Sequence, residues 1–405
     1  MRILLISLWY HPEPRKPVRE LAATLREFGH EVTIVTGFPN WPQGEVYPGY
    51  RVRPWQRETI DGVSVIRVPL YPDHSRSAFR RAVNCCSFSL AAAVLSPFLA
   101  RKPDVVYAIQ PIPAGLSALF LKSIWRVPLV TEVQDLWPET LQATGFVSSS
   151  ALLRVVQWLN NWVLRSSVRV RVISEGFRRS LMARGIPAGR IEVISNWVDP
   201  DVFRSHAASA SQAASPQPSL HVVYAGTIGP AQDLDTLLAA AELVRESKDI
   251  TFTIAGDGTE LKRLENEARA RSLTNVRFTG WLPEDSVSQL MDSADVLLVQ
   301  LRDDPLFRIT IPHKTFTYMA MGKPILAAIE GDAADVVREA HAGLTCHPGD
   351  PRSLADALRS FVHLGSQGRA ELGRQGRTAV CERYCRLSLV KRCEGLIRQA
   401  TAASL

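Results

Sequence analysis

Short apolar runs alternate with amphipathic segments along this chain, and the alternation occurs twice. The first series of strand-like runs covers residues 2–8, 31–36, 62–68, 104–109, 128–132, 169–173 and 190–194. The second covers residues 221–225, 251–255, 276–279, 295–300 and 325–329. Segments with helical spacing, such as 18–28 and 233–246, lie between them. This order predicts an α/β chain with two doubly wound, Rossmann-like parallel sheets.

A stretch rich in alanine, serine, glutamine and proline separates the two series. Residues 205–219 show no apolar period and are predicted to form a linker or a surface loop. The predicted domains are therefore residues 1–204 and residues 220–385, followed by a C-terminal helix over 386–405. A chain of 405 residues is long enough for two such domains.

The composition indicates a folded protein and narrows its partners. Hydrophobic residues make up 46% and charged residues 21% of the chain, so global disorder is not expected. The formal charge of +7 has two open interpretations: a solvated arginine-rich surface, or attraction to anionic lipids and phosphorylated ligands. Nucleic acid is not an expected partner, because no basic tract is clustered. The 6 cysteines are scattered and form no pair of Cys-x-x-Cys motifs, which is typical of a reducing cytoplasm.

An apolar stretch at residues 83–100 resembles a membrane span in length. It contains polar residues and a proline, so a helix packed in the core or lying at an interface is the better prediction. Arg76, Arg80 and Arg81 precede it with Phe79 among them, a pattern that suits a membrane surface. An ordinary amphipathic helix with solvated arginines stays open. The first residues run directly into a strand, so we expect a cytoplasmic protein with peripheral contact at the inner face of the membrane.

Two segments of the second half are suited to bind an anion. In residues 311–325, Lys314 opens a short helix that Gly322 and Pro324 end. A lysine beside the unpaired N–H groups of a helix start attracts negative charge. Gly226 and Gly229 follow a predicted strand and open a helix, which lets the backbone approach a phosphate. A plain turn would show the same glycines, so that interpretation also stays open.

Segment 311–325 resembles the donor-binding loop of retaining nucleotide-sugar glycosyltransferases of family 4, which have the GT-B fold. Further motifs occur in the order found in family members that build bacterial surface polysaccharides, at residues 9–14, 38–44, 132–139 and 194–199. Those members include fucosyl- and N-acetylfucosaminyl-type transferases of colanic-acid and O-antigen assembly. The resemblance covers nearly the whole chain. It implies two Rossmann-like domains that face a cleft, and a final helix that returns to the first domain.

The resemblance implies a nucleotide-sugar donor site in the second half. The implied donor-binding residues are Gly226, Thr227, Gly229, Gly256, Asp257, Trp281, Arg308, Lys314 and Thr317. Thr317 and Ile309 stand where many relatives have glutamates, and Thr227 and Gln232 stand where many have an arginine and a lysine. The charge of the diphosphate is therefore expected to be met by Lys314 and then by Arg308.

Three of these residues have simpler interpretations. Arg308 is also consistent with a solvated loop arginine, and Asp257 with a residue that only forms a turn. Trp281 is suited either to stack on a base or to pack against the protein, and we favour packing.

In the first half, Asp135 is the predicted catalytic residue, together with Lys314 of the second half. Asp135 follows an apolar strand, so it is expected at the carboxyl end of that strand; a helix N-cap is the alternative. The implied acceptor-side residues are His11, Glu13, Arg15, Arg19 and Glu139. Arg15 and Lys16 occupy a region where relatives have a glycine pair. They are suited to meet a diphosphate, or they are surface charge.

The resemblance implies transfer of a sugar from a UDP- or GDP-linked donor to a saccharide acceptor, linked to polyprenyl diphosphate. The leaving diphosphate would be stabilised by the loop of Gly226 and Gly229 and by Lys314. No Asp-x-Asp motif stands in a suitable place, so we predict neither a metal nor a cofactor. The alternatives are a nucleotide-sugar-binding pseudoenzyme that acts as a partner, and a GT-B-fold sugar-nucleotide epimerase. A dinucleotide oxidoreductase is not expected, because no Gly-x-Gly-x-x-Gly follows the opening strand.

Overall fold

The computed structural model describes residues 1–75, 77–143, 149–199, 220–247 and 249–403. The chain divides into two compact units. The first unit consists of Met1–Ser195 together with Arg386–Leu405, and the second of Asn196–Cys385. The predicted linker at 205–219 and the predicted domain end at 204 lie outside the described residues.

Among the described residues, eight strands form the sheet of the first unit, in the order β3-β4-β2-β1-β5-β6-β7-β8. The strands are β1 (Arg2–Ile6), β2 (Glu31–Gly37), β3 (Gln56–Ile60), β4 (Val63–Val68), β5 (Val105–Ile109), β6 (Leu129–Val133), β7 (Arg169–Val172) and β8 (Ile191–Val193). Strand β3 pairs antiparallel with β4, and the other neighbours pair in parallel. Because β1 and β5 are buried along almost their whole length, they consist of apolar residues without alternation.

The helices of the first unit cover both faces of this sheet. They are α1 (Lys16–Glu27), α2 (Ala78–Leu99), α3 (Leu116–Trp125), α4 (Glu139–Ala143), α5 (Ser150–Ser166), α6 (Glu175–Ala183) and α14 (Arg386–Ala402). Phe88 of α2, Leu119 of α3 and Val163 of α5 belong to one core cluster. Helix α14 packs against α1, β5, β6 and β7.

In the second unit, six strands of the described residues form an all-parallel sheet in the order β11-β10-β9-β12-β13-β14. They are β9 (Leu220–Ala225), β10 (Ile250–Ala255), β11 (Val276–Gly280), β12 (Val296–Gln300), β13 (Ile325–Ala328) and β14 (Gly343–Cys346). The helices are α7 (Leu234–Leu243), α8 (Leu261–Ala270), α9 (Glu284–Asp292), α10 (His313–Ala320), α11 (Asp332–Glu339), α12 (Pro351–His363) and α13 (Gly365–Arg383).

The predicted architecture of two parallel α/β sheets is confirmed. Strand β3 was not predicted, because this antiparallel edge strand is half-exposed and has no apolar run. Gly373 and Gly376 both lie inside α13. A Cβ atom on Gly373 would lie 1.9 Å from the carbonyl oxygen of Gly322. Gly373 therefore lets α13 approach the turn that follows α10.

Each sheet has one point at which the direction of winding reverses. In the first unit this point lies between β1 and β5, and in the second between β9 and β12. Ligands of open α/β sheets bind at the carboxyl ends of the strands beside such a point. A ligand site is therefore expected in the loops that follow these four strands.

Candidate functional site

Glycines bring the loops after β9 and β10 of the second unit into backbone contact. Gly226 has a φ of 147° and Gly256 a φ of 142°, values that disfavour a side chain. A Cβ atom on Gly256 would lie 1.8 Å from the carbonyl oxygen of Gly226, and one on Gly258 would lie 2.1 Å from that of Ile228. The backbone of this edge is thus open to a ligand that approaches closely.

Lys314 places its ammonium group at this glycine loop. Its Nζ atom lies 4.0 Å from the centroid of the Tyr224 ring, and a Cβ atom on Gly226 would lie 2.6 Å from Nζ. The Tyr224 hydroxyl donates a hydrogen bond to the Thr227 carbonyl oxygen at 2.6 Å, which fixes the ring beneath the lysine. Burial lowers the pKa of Lys314 to about 7. Among the described residues no carboxylate pairs with Lys314, so an anionic ligand would supply the missing counter-charge.

Helix α10 holds Lys314 in its first turn and is tied to β9. The Tyr318 hydroxyl donates to the Ala225 carbonyl oxygen at 3.0 Å. His313 Nε2 lies 3.1 Å from the Trp197 carbonyl oxygen, and the hydroxyl of Thr317 lies 3.5 Å from His313 Nδ1. Thr317, the residue in place of the family glutamate, therefore lies one turn after His313, on the helix that carries Lys314.

Arg308 differs from Lys314 because its charge is already balanced. Its guanidinium contacts Asp303 at 2.9 Å and Glu330 at 3.4 Å. These carboxylates raise the pKa of Arg308, first through the Asp303 hydrogen bond. Donor binding by Arg308 stays a prediction. A phosphate would have to compete with these two carboxylates for the guanidinium.

The remaining residues of the predicted donor site differ in their contacts and in their exposure. Asp257 accepts a hydrogen bond from the Gly258 N–H at 2.7 Å, so it forms the turn after β10. The Gly229 N–H donates to Gln232 Oε1 at 3.1 Å, and Thr227 is exposed. Trp281 is 71% exposed, so our preference for packing at this position was wrong. Its indole face is available to a ligand.

In the first unit, Arg15 lies between two indole rings. Its guanidinium carbon is 4.7 Å from the centroid of Trp9 and 5.1 Å from that of Trp41. The Nε atom is buried and has no hydrogen-bond partner in the described part of the chain. Arg15 is therefore held in a cation–π stack, with an Nε–H donor that is unpaired among the described residues. Sequence reasoning did not assign Trp9 and Trp41 a role, because nothing in the sequence shows that the loops after β1 and β2 meet at Arg15.

Glu13 ties these two loops together. It is 3% exposed and accepts hydrogen bonds from the backbone N–H groups of Tyr10 at 3.0 Å, Asn40 at 2.9 Å and Trp41 at 2.9 Å. Burial raises the pKa of Glu13, and the three backbone donors oppose that rise. The geometry gives Glu13 a part in loop structure, and its predicted contact with the acceptor remains untested.

Asp135 lies two residues beyond the carboxyl end of β6 and is exposed. Its Oδ2 atom accepts a hydrogen bond from Gln110 Nε2 at 2.9 Å. Gln110 directly follows β5, beside the reversal point, and has a φ of 74°. A residue other than glycine in this conformation stores strain, which is common at functional sites. The sequence did not reveal a role for Gln110 either.

The other predicted acceptor-side residues have side-chain partners within the protein. Arg19 donates two hydrogen bonds to Asp61, at 2.5 and 2.9 Å, and its Nη1 atom lies 3.4 Å from His11 Nδ1. Burial and the charge of Arg19 lower the pKa of His11. Glu139 accepts a hydrogen bond from Arg184 at 2.5 Å. The structure thus brings His11 and Arg19 together and pairs Glu139 elsewhere.

No group of three or more His, Cys, Asp or Glu side chains suited to hold a metal ion occurs within the residues described. The prediction that the chain needs no metal stays a prediction.

Two family models match the chain. Residues 14–197 match the "glycosyl transferase 4-like domain", and residues 219–363 match "glycosyl transferases group 1". The chain is 26% identical over 339 residues to the putative colanic acid biosynthesis glycosyl transferase WcaI of Escherichia coli, covering 80% of this chain and 82% of WcaI. It is also 26% identical over 397 residues to the glycogen synthase of Mycobacterium tuberculosis, covering 94% and 91%.

The crystal structure of HepE from Anabaena in complex with UDP-glucose resembles the chain along its whole length. The TM-score is 0.71 with 17% identity, and the alignment covers 100% of both chains. At this identity the similarity concerns the fold.

Proposed function

We propose that this chain, a nucleotide-sugar-dependent glycosyltransferase of family 4 with the GT-B fold, is a retaining enzyme of surface-polysaccharide assembly. The proposed donor is a UDP- or GDP-linked sugar. The proposed acceptor is a saccharide linked to polyprenyl diphosphate. Similarity to WcaI supports a role in surface-polysaccharide assembly. Because the identity to a glycogen synthase is equal, an α-glucan is the alternative acceptor to test.

The unpaired ammonium of Lys314 carries the donor part of this proposal. It lies at the glycine loop after β9, beside the reversal point of the second sheet. A diphosphate placed there would accept hydrogen bonds from the loop backbone and pair with the lysine. As the bond from the sugar to the diphosphate breaks, negative charge grows on the leaving oxygen, and these groups would stabilise it. HepE holds UDP-glucose on the same fold, so a uridine nucleotide is the first donor to test.

The Arg15 stack supports an acceptor with an anionic group. The guanidinium is fixed between Trp9 and Trp41, and its Nε is buried without a partner among the described residues. A fixed guanidinium binds phosphate oxygens with little loss of side-chain entropy. A diphosphate-linked acceptor offers such oxygens, whereas a neutral glucan does not.

The proposal is tested by a transfer assay with the purified full-length chain. UDP- and GDP-sugars are supplied with either a polyprenyl-diphosphate-linked monosaccharide or a maltooligosaccharide, and the product's anomeric configuration is determined by NMR. We expect transfer to the lipid-linked acceptor with retention, and loss of that transfer in Arg15→Leu. Transfer to the maltooligosaccharide alone would contradict the acceptor. Donor binding without transfer to either would favour the pseudoenzyme, and conversion of the donor to an epimer would favour the epimerase.

A further inference from the structure

Three helices of the first unit share one face of the sheet and expose apolar side chains. Helix α3 lies between α2 and α5 and contacts both. The exposed apolar residues of these helices are Phe79, Leu90, Val94, Phe98, Phe120, Ile124, Leu152, Val155, Trp158 and Trp162. Phe98 is 83% exposed, Leu90 67% and Trp158 63%. We refer to this set of residues as the apolar face. Leaving this many large apolar side chains exposed to water is costly unless a partner covers them.

The charged side chains on the three helices that carry the apolar face are all of one sign. Helices α2, α3 and α5 contain no aspartate or glutamate. Their charged residues are Arg80, Arg81, Lys122, Arg154 and Arg165. The other helices of the first unit, α1, α4, α6 and α14, each contain at least one glutamate. Among these helices of the first unit, the absence of acidic residues is thus confined to the three that form the apolar face.

We propose that the apolar face docks this enzyme on the surface of a bilayer that contains anionic phospholipids. Arginine and lysine among exposed aromatic and aliphatic side chains match both the charge of the headgroups and the apolar layer beneath them. Trp158 and Trp162 stack at 5.7 Å between ring centroids and are 63% and 50% exposed. Tryptophan is favoured at the depth where headgroups meet acyl chains, because its ring is apolar and its N–H is polar.

Helix α2 contributes to this face while staying packed on the sheet. Within the described ranges, α2 is the one helix that is long and apolar enough to span a bilayer. However, Asn84, Phe88, Ala92 and Ser96 form a buried stripe at a spacing of four residues, and Asn84 donates to the Tyr71 carbonyl oxygen at 2.7 Å. The exposed residues Leu90, Val94 and Phe98 follow a second stripe. If α2 spanned the bilayer, the core would lose these buried side chains. Helix α2 therefore stays packed on the sheet and lies along the membrane surface.

The same charges disfavour a second copy of the chain as the partner. A symmetric dimer places the same surface patch on both sides of its interface. Here that would bring the arginines of two apolar faces together with no carboxylate on α2, α3 or α5 to pair them. Anionic lipid does not produce this repulsion, since its headgroups present negative charge to the arginines.

The test is flotation of the full-length chain with vesicles of phosphatidylcholine, with and without phosphatidylglycerol. We expect binding to the anionic vesicles that weakens as sodium chloride is added. The double variant Trp158→Ser/Trp162→Ser should bind about tenfold more weakly. The Arg80→Gln/Arg154→Gln variant should lose most of its preference for phosphatidylglycerol.

Matched controls separate the apolar face from general surface properties. Leu387 is 50% exposed on α14, so Leu387→Ser is compared with Leu90→Ser. Lys262→Gln/Arg352→Gln removes the same charge from the second unit as the arginine double variant removes from the first. Both controls should bind like the wild type, and all variants should keep the wild-type melting temperature because the changed residues are exposed.

The proposal is overturned if the wild type does not float with anionic vesicles, or if the tryptophan variant floats as well as Leu387→Ser. It is also overturned if light scattering shows a dimer that the tryptophan variant converts to a monomer without any lipid binding. The assay measures lipid binding rather than transfer, so its outcome is independent of the acceptor proposed above.

Discussion

At the scale of single residues, Lys314 carries a positive charge that no carboxylate among the described residues neutralises. Burial lowers its pKa to about 7, whereas a lysine in the unfolded chain titrates near ~10.4. Below pH 7 both states hold the proton, and the folded state bears the full cost of a desolvated charge. Between about pH 7 and 10 the unfolded state binds more protons, so the stability of the ligand-free protein rises with pH.

Lys314→Met should therefore raise the melting temperature of the ligand-free protein at pH 6. The gain over the wild type should shrink as the pH rises from about 7 towards ~10.4, above which the lysine is neutral in both states. Differential scanning calorimetry across this range checks the prediction. A variant that is less stable than the wild type at pH 6 would mean that Lys314 has an anionic partner within the folded chain.

The two glycines of the second unit should respond differently to an added methyl group. In Gly226→Ala the new Cβ meets the mobile end of Lys314, so we expect a stability loss of about 1–3 kcal/mol from the backbone conformation together with loss of donor binding. In Gly256→Ala the Cβ meets a backbone carbonyl at 1.8 Å, so the loss of stability should be larger. Urea unfolding measures both. Gly49→Ala is the control, because Gly49 has a φ of 86° and open space around it.

At the scale of elements, the buried pair of His30 and Glu394 fixes α14 to the turn between α1 and β2. The two side chains are 2% and 3% exposed and lie 3.0 Å apart, and Arg398 and Lys391 also contact Glu394, at 2.6 and 3.0 Å. Hydrogen bonds from Lys391, Arg398 and His30 outweigh desolvation and lower the pKa of Glu394 to about 2. Because the folded pKa is depressed, this contribution to stability is present above the unfolded pKa and is lost as the pH falls from ~4.5 towards 2.

Glu394→Gln should lower the free energy of unfolding at pH 7 by about 1.5–3 kcal/mol, since a buried charged hydrogen-bond acceptor is removed. The difference from the wild type should shrink below pH 4. Glu371→Gln is the matched control: Glu371 also pairs with an arginine, but on the surface of α13, and its removal should leave the melting temperature unchanged. Equal effects of the two substitutions would show that burial of the Glu394 pair is not what stabilises α14.

The sequence predicted the elements whose signal is local and missed those that depend on distant neighbours. Strands such as β1 and β5 were predictable because residues buried on both faces must be apolar. Lys314 at a helix start and Gly226 and Gly229 after a strand were predictable from local patterns, whereas their role in a donor site was implied by the resemblance and stays a prediction. The stacking of Arg15 on Trp9 and Trp41 was not, because it depends on how the loops after β1 and β2 fold. The exposure of Trp281 was also missed, since an apolar residue after a strand is usually buried.

At the scale of the whole molecule, the two ends of the chain belong to the same unit. The last helix, α14, buries Leu389, Val390, Cys393, Leu396 and Ile397 in the unit that begins with β1. Full burial of one such side chain contributes roughly 1.5–3 kcal/mol. The first unit should therefore depend on residues that lie almost 200 positions beyond its last strand in the sequence.

A chain that ends at Cys385 should lose the fold of its first unit. We expect aggregation, or a thermal transition that disappears while a second one remains, because the core of the second unit lies within Asn196–Cys385. Calorimetry and limited proteolysis of the two chains check this. A truncated protein with the melting profile of the full-length chain would contradict the importance of α14.

The most direct test of the central claim is a thermal-shift titration of the wild type and Lys314→Ala with UDP-, GDP- and dTDP-sugars. A ligand that binds the native state raises its apparent stability. We predict that one nucleotide class raises the melting temperature of the wild type, that the shift weakens above pH 7, and that it is lost in Lys314→Ala. No shift with any nucleotide sugar, or an equal shift in the variant, would contradict a donor site built on Lys314.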